Sequence, residues 1–156
     1  MNIRQASLKD ALVLSSLCMD VQRLHAEAYP ELFKLPQRED FALEYFSDVL
    51  AEPGTTIYIA EEDGNAAGYI YCRALERLEN PFTVSFRILL IEHISVRPMA
   101  QGRGIGRALM ARARALAQEL RVSRIQLDSW DFNIQAHGFF ERLGYRKFNY
   151  RFWMGI

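Results

Sequence analysis

At 156 residues, half of them hydrophobic and 12% aromatic, the chain is long enough for one ordinary domain and too apolar for disorder. No apolar run approaches the roughly 20 residues that span a bilayer, and Met1-Asn2-Ile3-Arg4-Gln5 lacks a signal-peptide core. Two cysteines, Cys18 and Cys72, make neither a disulfide framework nor a metal site, so a metal-free cytoplasmic protein is expected.

The zero net charge conceals an asymmetry. Residues 1–96 carry 8 Lys and Arg against 15 Asp and Glu, a balance of −7; residues 97–156 carry 11 against 4, a balance of +7. Such separation creates local fields, with the basic half suited to phosphates and the acidic half to a cationic amine. The basic residues are helical and lack interleaved aromatics, which argues against nucleic acid.

In chain order, Ile3–Ala6 reads as a short strand, and Ser7-Leu8-Lys9-Asp10 as a capping box that opens a helix. That helix carries Ala11, Leu14, Leu17, Cys18, Val21 and Leu24 as its apolar stripe and stops at Pro30. A second helix from about Arg38 to Leu50 carries Phe41, Tyr45 and Val49, ending at Pro53-Gly54. Residues 56–60 and 68–72 form a hairpin around Asp63-Gly64-Asn65. Asn80-Pro81 leads into a long strand, Thr83 to Val96. A helix follows with Ile105, Leu109, Ala113, Leu116 and Leu120 inward, then the short strand Ile125–Leu127. Asn133 caps a helix that buries Ala136, Phe139, Phe140 and Leu143 and ends at Gly144; a strand pair from Tyr145 closes the chain. The order β-α-α-β-β-β-α-β-α-β-β describes one mixed α/β (α+β) domain over 1–156, a largely antiparallel mixed sheet flanked by helices.

The densest chemical signal lies between the long strand and the third helix. Gly102, Gly104 and Gly106 occupy a strand-to-helix junction, flanked by Gln101, Arg103, Ile105 and Arg107. Absent side chains let backbone N–H groups converge on an anion at the positive end of the helix dipole. The expected ligand is a phosphate or pyrophosphate. A Walker loop is excluded because Arg107-Ala108 stands where Lys-Ser/Thr is needed. A dinucleotide fingerprint meets Arg107 or Leu109 at its third glycine position, although Asp128 falls where a ribose-binding acid would.

The segment Gln101, Gly104, Gly106 resembles the Q-x-x-G-x-G signature of the GCN5-related N-acetyltransferase (GNAT) superfamily. A second stretch, Asn-Ile-Gln-Ala-His-Gly-Phe-Phe-Glu-Arg-Leu-Gly-Tyr at 133–145, resembles the family's N-x-x-A-x-x-F-Y-E-x-L-G-F/Y through Asn133, Ala136, Phe139, Glu141, Leu143, Gly144 and Tyr145. The resemblance implies a GNAT-like fold covering the whole chain, acetyl-CoA as cosubstrate, and direct attack by a primary amine of a small molecule or protein. It further implies a V-shaped gap between the two flanking strands, with backbone groups near Ile94 and Val96 on the acetyl carbonyl and pantetheine arm. The loop from Gln101 to Arg107 then takes the pyrophosphate, and Asn133 and Phe139 flank the pantetheine or its thiol end. The family's tyrosine, often proposed to protonate the leaving thiolate, is Phe140 here. Tyr145, Tyr150 and His137 are substitutes without positional support.

Glu92 shares parity with Val84, Phe86, Ile88, Leu90, Ile94 and Val96, which puts a carboxylate on a buried face. Desolvation would raise its pKa toward that of an amine-activating base, and family members place an acid near this strand position. The competing reading is a bulge that flips the parity and leaves Glu92 solvated or ion-paired. His93, of opposite parity, falls at the surface or in a hydrogen bond. For the acceptor, His25, Tyr29 and Phe33, with Glu27, mix polar and apolar character, and Tyr71, Arg73 and Trp130 could add walls. The same aromatics would equally serve to pack a helix junction. A CoA-binding sensor without useful catalysis is the alternative function, and Phe152-Trp153-Met154 suggests a homodimer contact.

Overall fold

The computed structural model describes residues 1–156. Its elements are β1 (Asn2–Gln5), α1 (Ala11–Ala28), α2 (Leu43–Ala51), β2 (Thr55–Glu62), β3 (Asn65–Arg77), β4 (Phe86–Val96), α3 (Ile105–Glu119), β5 (Ile125–Leu127) and α4 (Ile134–Arg142). The five strands form one sheet in the order β1-β2-β3-β4-β5. Three neighbouring pairs are antiparallel and only β4–β5 is parallel. This single parallel pair removes the dinucleotide reading of Asp128, which needs a doubly wound parallel sheet.

Helices cover both faces. Leu14 and Leu17 of α1 and Phe46 of α2 pack with Ile57, Ile59, Tyr69 and Tyr71 on one side. Leu109, Ala113 and Leu116 of α3 pack with Ile70, Leu89 and Ile91 on the other, joined by Phe140 of α4. The capping box forms as expected: the Asp10 carboxylate accepts from the Ser7 N–H and Oγ at 2.8 and 3.0 Å. Arg4 adds two hydrogen bonds to the same carboxylate, at 2.7 and 3.0 Å, and holds its pKa down at about 2. In the β2–β3 hairpin, Asp63 and Gly64 both take positive φ, 50° and 80°, the combination that matches strand twist in a two-residue turn.

Several expectations shift. Arg38 and Asp40 close a turn before α2, so that helix starts at Leu43 and turns Phe46 and Val49 inward, leaving Phe41 and Tyr45 exposed. Leu24 of α1 also faces outward, while Ser15 and Ser16 are buried. Ser15 Oγ accepts from Ala42 N–H and Ser16 Oγ from Arg97 Nη2, both at 3.0 Å. β4 begins at Phe86 instead of Thr83, because the Asn80 side chain accepts from the N–H groups of Phe82 and Thr83 and holds a turn there. The terminal strand pair does not form. Residues 145–156 carry no strand, and Phe148 and Phe152 are 73% and 89% exposed. An alternating apolar tail becomes a strand only against a ladder partner, and β5 offers an edge of three residues.

One irregularity positions the site. In the β3–β4 ladder Tyr71 pairs with His93 and Cys72 with Ile91, so Glu92 is an extra residue without a partner. Leu89 and Ile91 face α3 before this bulge, and Ile94 and Val96 face it afterwards. Ser95 consequently turns to α1, where its hydroxyl donates to Leu17 O at 3.0 Å. The unbroken parity expected across β4 stops at Glu92.

Candidate active site

The sheet splits where β4 outlasts β5. The two strands pair only from Leu89 to Ile91, while β4 continues to Val96. Arg97 N–H bonds Ala67 O on β3 at 2.9 Å, so backbone alternation turns the groups of Ile94 and Val96 toward the open edge. These are the two backbone positions expected to line the gap.

The glycine loop closes one end of that gap. Gly102 and Gly104 have φ of 77° and 85°, which an L side chain adopts only with strain, and a Cβ at either would meet nothing within 4 Å. Gly104 is the left-handed N-cap of α3. From Gly102 through Arg107 no backbone N–H donates to a protein acceptor; the first helical bond runs from Ala108 to Gly104 O. Six donors of one loop and helix start are therefore unused within the protein, at the positive end of the dipole. Gln101 ties the loop to the strand, its Nε2 donating to Val96 O at 3.0 Å. Arg103 is drawn aside into an ion pair with Glu62 at 2.7 Å. Arg107 is exposed and unpaired, leaving its full charge beside the donors. Ile105 is buried beneath them and anchors the helix start.

The second motif packs onto the first. Asn133 Oδ1 caps α4 by accepting from Ala136 N–H at 3.2 Å. Phe139 lies against Gly106 so closely that a Cβ there would stand 3.3 Å from its ring. Phe140 is 8% exposed, with its ring 5.4 Å from Phe139 and 6.1 Å from Tyr145. The residue where the family motif has tyrosine is thus core. Tyr145 is half-buried, and that burial pushes its phenol pKa up. His137 Nε2 contacts Trp130 O at 2.9 Å, and Tyr150 is exposed.

Glu92 is not the buried carboxylate that strand parity suggested. Its side chain is 30% exposed, and Oε1 lies 3.1 Å from Arg73 Nε in an ion pair without hydrogen-bond alignment. The bulge supplies the reason, by placing Glu92 outside the ladder. Its neighbour His93 takes the hydrogen-bonded of its two expected settings, and the bulge turns it among aromatic rings. Tyr69 Oη lies 3.2 Å from Nδ1, and the rings of Tyr71, Tyr45 and Phe46 stand 5.8, 6.2 and 6.3 Å away. Burial first, and the His25 charge second, push the His93 pKa below its usual value, so the imidazole is neutral near pH 7. The His93 imidazole, held against Tyr69 at the bulge, is a second titratable group next in sequence to Glu92.

The expected acceptor residues converge. His25 and Phe33 lie 5.0 Å apart, Phe33 and Trp130 5.0 Å, and Tyr29 and Trp130 5.6 Å, between ring centroids. Phe132, which sequence reasoning missed, completes the group at 5.4 Å from His25 and 5.7 Å from Tyr29. Tyr29 Oη donates to Asp131 Oδ1 at 3.0 Å, joining segments 102 residues apart. Leu127 pairs with Ile91, so the β5–α4 connection that carries Trp130 and Phe132 leaves the sheet beside the bulge at Glu92. A concavity of about 540 Å³ opens elsewhere, between Arg77, Phe86, Gln126 and Phe148, and no residue of either motif lines it.

A split mixed sheet, a row of free amides at the head of α3 and a capped α4 packed on that row define a fold that sets an unused row of N–H donors beside an open strand edge. Residues 18–145 match the Acetyltransferase (GNAT) family, and the chain belongs to it. An uncharacterized N-acetyltransferase encoded in the pepI 3′ region of Lactobacillus delbrueckii subsp. lactis is 31% identical over 100 residues, 64% of this chain and 57% of that protein. Blasticidin-S acetyltransferase of Streptomyces morookaense is 41% identical over 64 residues, 40% of this chain and 46% of that protein. The matches thus span about half the length of these curated relatives. Among solved structures, the tetramutant of the BH1408 protein of Bacillus halodurans superposes with a TM-score of 0.93 at 21% identity over 100% of both chains. An aminoglycoside N-acetyltransferase in complex with CoA has a TM-score of 0.74 at 18% identity, covering 99% of this chain and 93% of that one. These two likenesses establish the shared fold.

Proposed function

We propose that this chain transfers an acetyl group from acetyl-CoA to a primary amine, of a small molecule or a protein, by direct attack. The observation that carries the reading is the row of six unused N–H donors from Gly102 to Arg107, set where the β4–β5 gap opens. Family membership supports acetyl-CoA as the ligand of that row, and the free charge of Arg107 suits its phosphates. The outward groups of Ile94 and Val96 bind the pantetheine arm and acetyl carbonyl; Asn133 and Phe139 border the thiol end.

In the reaction the amine lone pair forms a C–N bond to the acetyl carbon, the C–S bond breaks and CoA leaves as thiolate. Glu92 accepts the amine proton, directly or through water, with Arg73 holding its position. His25, Tyr29 and Phe33 bind the acceptor. Thiol pKa values of about 8.5 make thiolate a tolerable leaving group, so burial of Phe140 in the core is compatible with turnover. Both cysteines are free and buried, as suits a cytoplasmic setting, and no helix is long and apolar enough to cross a membrane. Residues 1–156 act as one domain, and the exposed Phe152-Trp153-Met154 tail joins two copies, which light scattering tests.

The direct test is release of free thiol from acetyl-CoA against a panel of amines. Amine-dependent release at a rate abolished by Gly104→Asp supports transfer. CoA-dependent thermal stabilisation with no release by any amine would support a sensor instead, the reading favoured by Phe140.

A further inference from the structure

An aromatic group on the acceptor side carries more information than a hydrophobic junction requires. Five rings from the end of α1, the segment after it and the β5–α4 connection meet at 5.0–6.5 Å, and Trp130 remains 40% exposed. Rings packed only to close a core would be covered. The group also sits among carboxylates: Tyr29 donates to Asp131, and Glu31 lies within electrostatic reach of the same hydroxyl. Partly exposed ring faces bordered by negative charge attract a cation twice, through the ring quadrupole and through the carboxylates. The −7 balance of residues 1–96, which supply three of the five rings, acts in the same sense.

We infer that the acceptor is a dication, an amine bearing a second ammonium or guanidinium group that rests on the wall of Tyr29, Phe33 and Trp130 while the first amine faces the thioester. This inference rests on the acetyl-transfer reading above. It assigns the two ends of the acceptor to two places: the reacting nitrogen to the bulge at Glu92, the spectator cation to the rings.

A matched pair of acceptors tests it. 1,5-Diaminopentane and n-pentylamine share a chain length and differ by the second cation. The expected result is a kcat/KM about 10-fold higher for the diamine, the size of one partly desolvated cation–π contact, falling to within about 2-fold in Trp130→Leu. Trp130 is on a partly exposed loop; circular dichroism checks the variant, and Phe33→Leu repeats the test from the other segment. Equal efficiency for both amines, or a preference that survives both variants, overturns the inference and leaves acetyl transfer standing. If neither amine is acetylated, calorimetric binding to the CoA complex decides separately. Tighter diamine binding that Trp130→Leu erases upholds the wall, whereas equal or absent binding overturns it.

Discussion

The two sides of the β4–β5 gap are built from different material. On the donor side the proposed groups are backbone N–H donors, and side chains contribute mainly by being absent, at Gly102 and Gly104, or by fastening the loop, as Gln101 does. On the acceptor side the proposed groups are side chains from distant segments, His25, Tyr29, Phe33, Trp130 and Glu92, the rings held by packing and by the Tyr29–Asp131 hydrogen bond. A backbone site tolerates few substitutions and is the same for every acceptor. A side-chain site can be rebuilt residue by residue, and specificity is proposed to reside there.

Gly104→Asp should have the largest effect. It forces a left-handed aspartate at φ 85° and adds a negative charge among donors meant for an anion. Isothermal titration should find acetyl-CoA affinity reduced by about 100-fold or more, and wild-type affinity would place the phosphates elsewhere. Glu92→Gln should leave that affinity intact and lower kcat by about 100-fold at pH values below the acceptor pKa. A pH–rate profile superimposable on wild type would reduce Glu92 to a partner for Arg73. Gly106→Ala tests the joint between the two motifs, because its Cβ would press on Phe139 at 3.3 Å. A loss of about 5-fold in acetyl-CoA affinity is expected, restored by adding Phe139→Leu; additive losses in that double variant would mean that the two motifs do not touch functionally.

The smallest effect on the gap should come from Asp10→Asn, remote from both walls. It removes the charged partner of Arg4 and weakens the cap at Ser7, costing about 1 kcal/mol at pH 7 with acetyl-CoA affinity unchanged. The Asp10 pKa, held at about 2 by hydrogen bonds from Arg4, lies below its ordinary 3.8. Its contribution is therefore complete above pH 3.8 and lost as pH falls toward 2. Thermal unfolding between pH 2 and 5 should show a shallower acid limb in the variant.

The donor side was legible in the sequence because its geometry is local. Three glycines, a flanking strand and a helix identify the loop, and Asn133 and Gly144 mark the ends of α4 by their own backbone requirements. What escaped depends on partners. The bulge at Glu92 exists only in the register of β4 against β3, so periodicity along β4 alone left Glu92 either inside or lifted out into an ion pair, and the ladder decides for the second. Phe46 replaced Phe41 and Tyr45 as the buried face of α2 because a turn delayed the helix start. The terminal strands were inferred from alternation without an edge to receive them. Phe132 carried no signal until the chain folded Tyr29 and His25 against it.

The unused amides have a consequence for hydrogen exchange. Protection requires an acceptor, and the N–H groups from Gly102 to Arg107 have none within the protein. Without ligand they should exchange with solvent deuterium as fast as loop amides, although Ile105 is buried and begins a 15-residue helix. An anion seated on them would slow six consecutive amides together, while Leu109 and Met110 a turn later hardly change. The head of α3 is in that sense a labelled reporter of its own occupancy, readable in a mixture without knowledge of the acceptor.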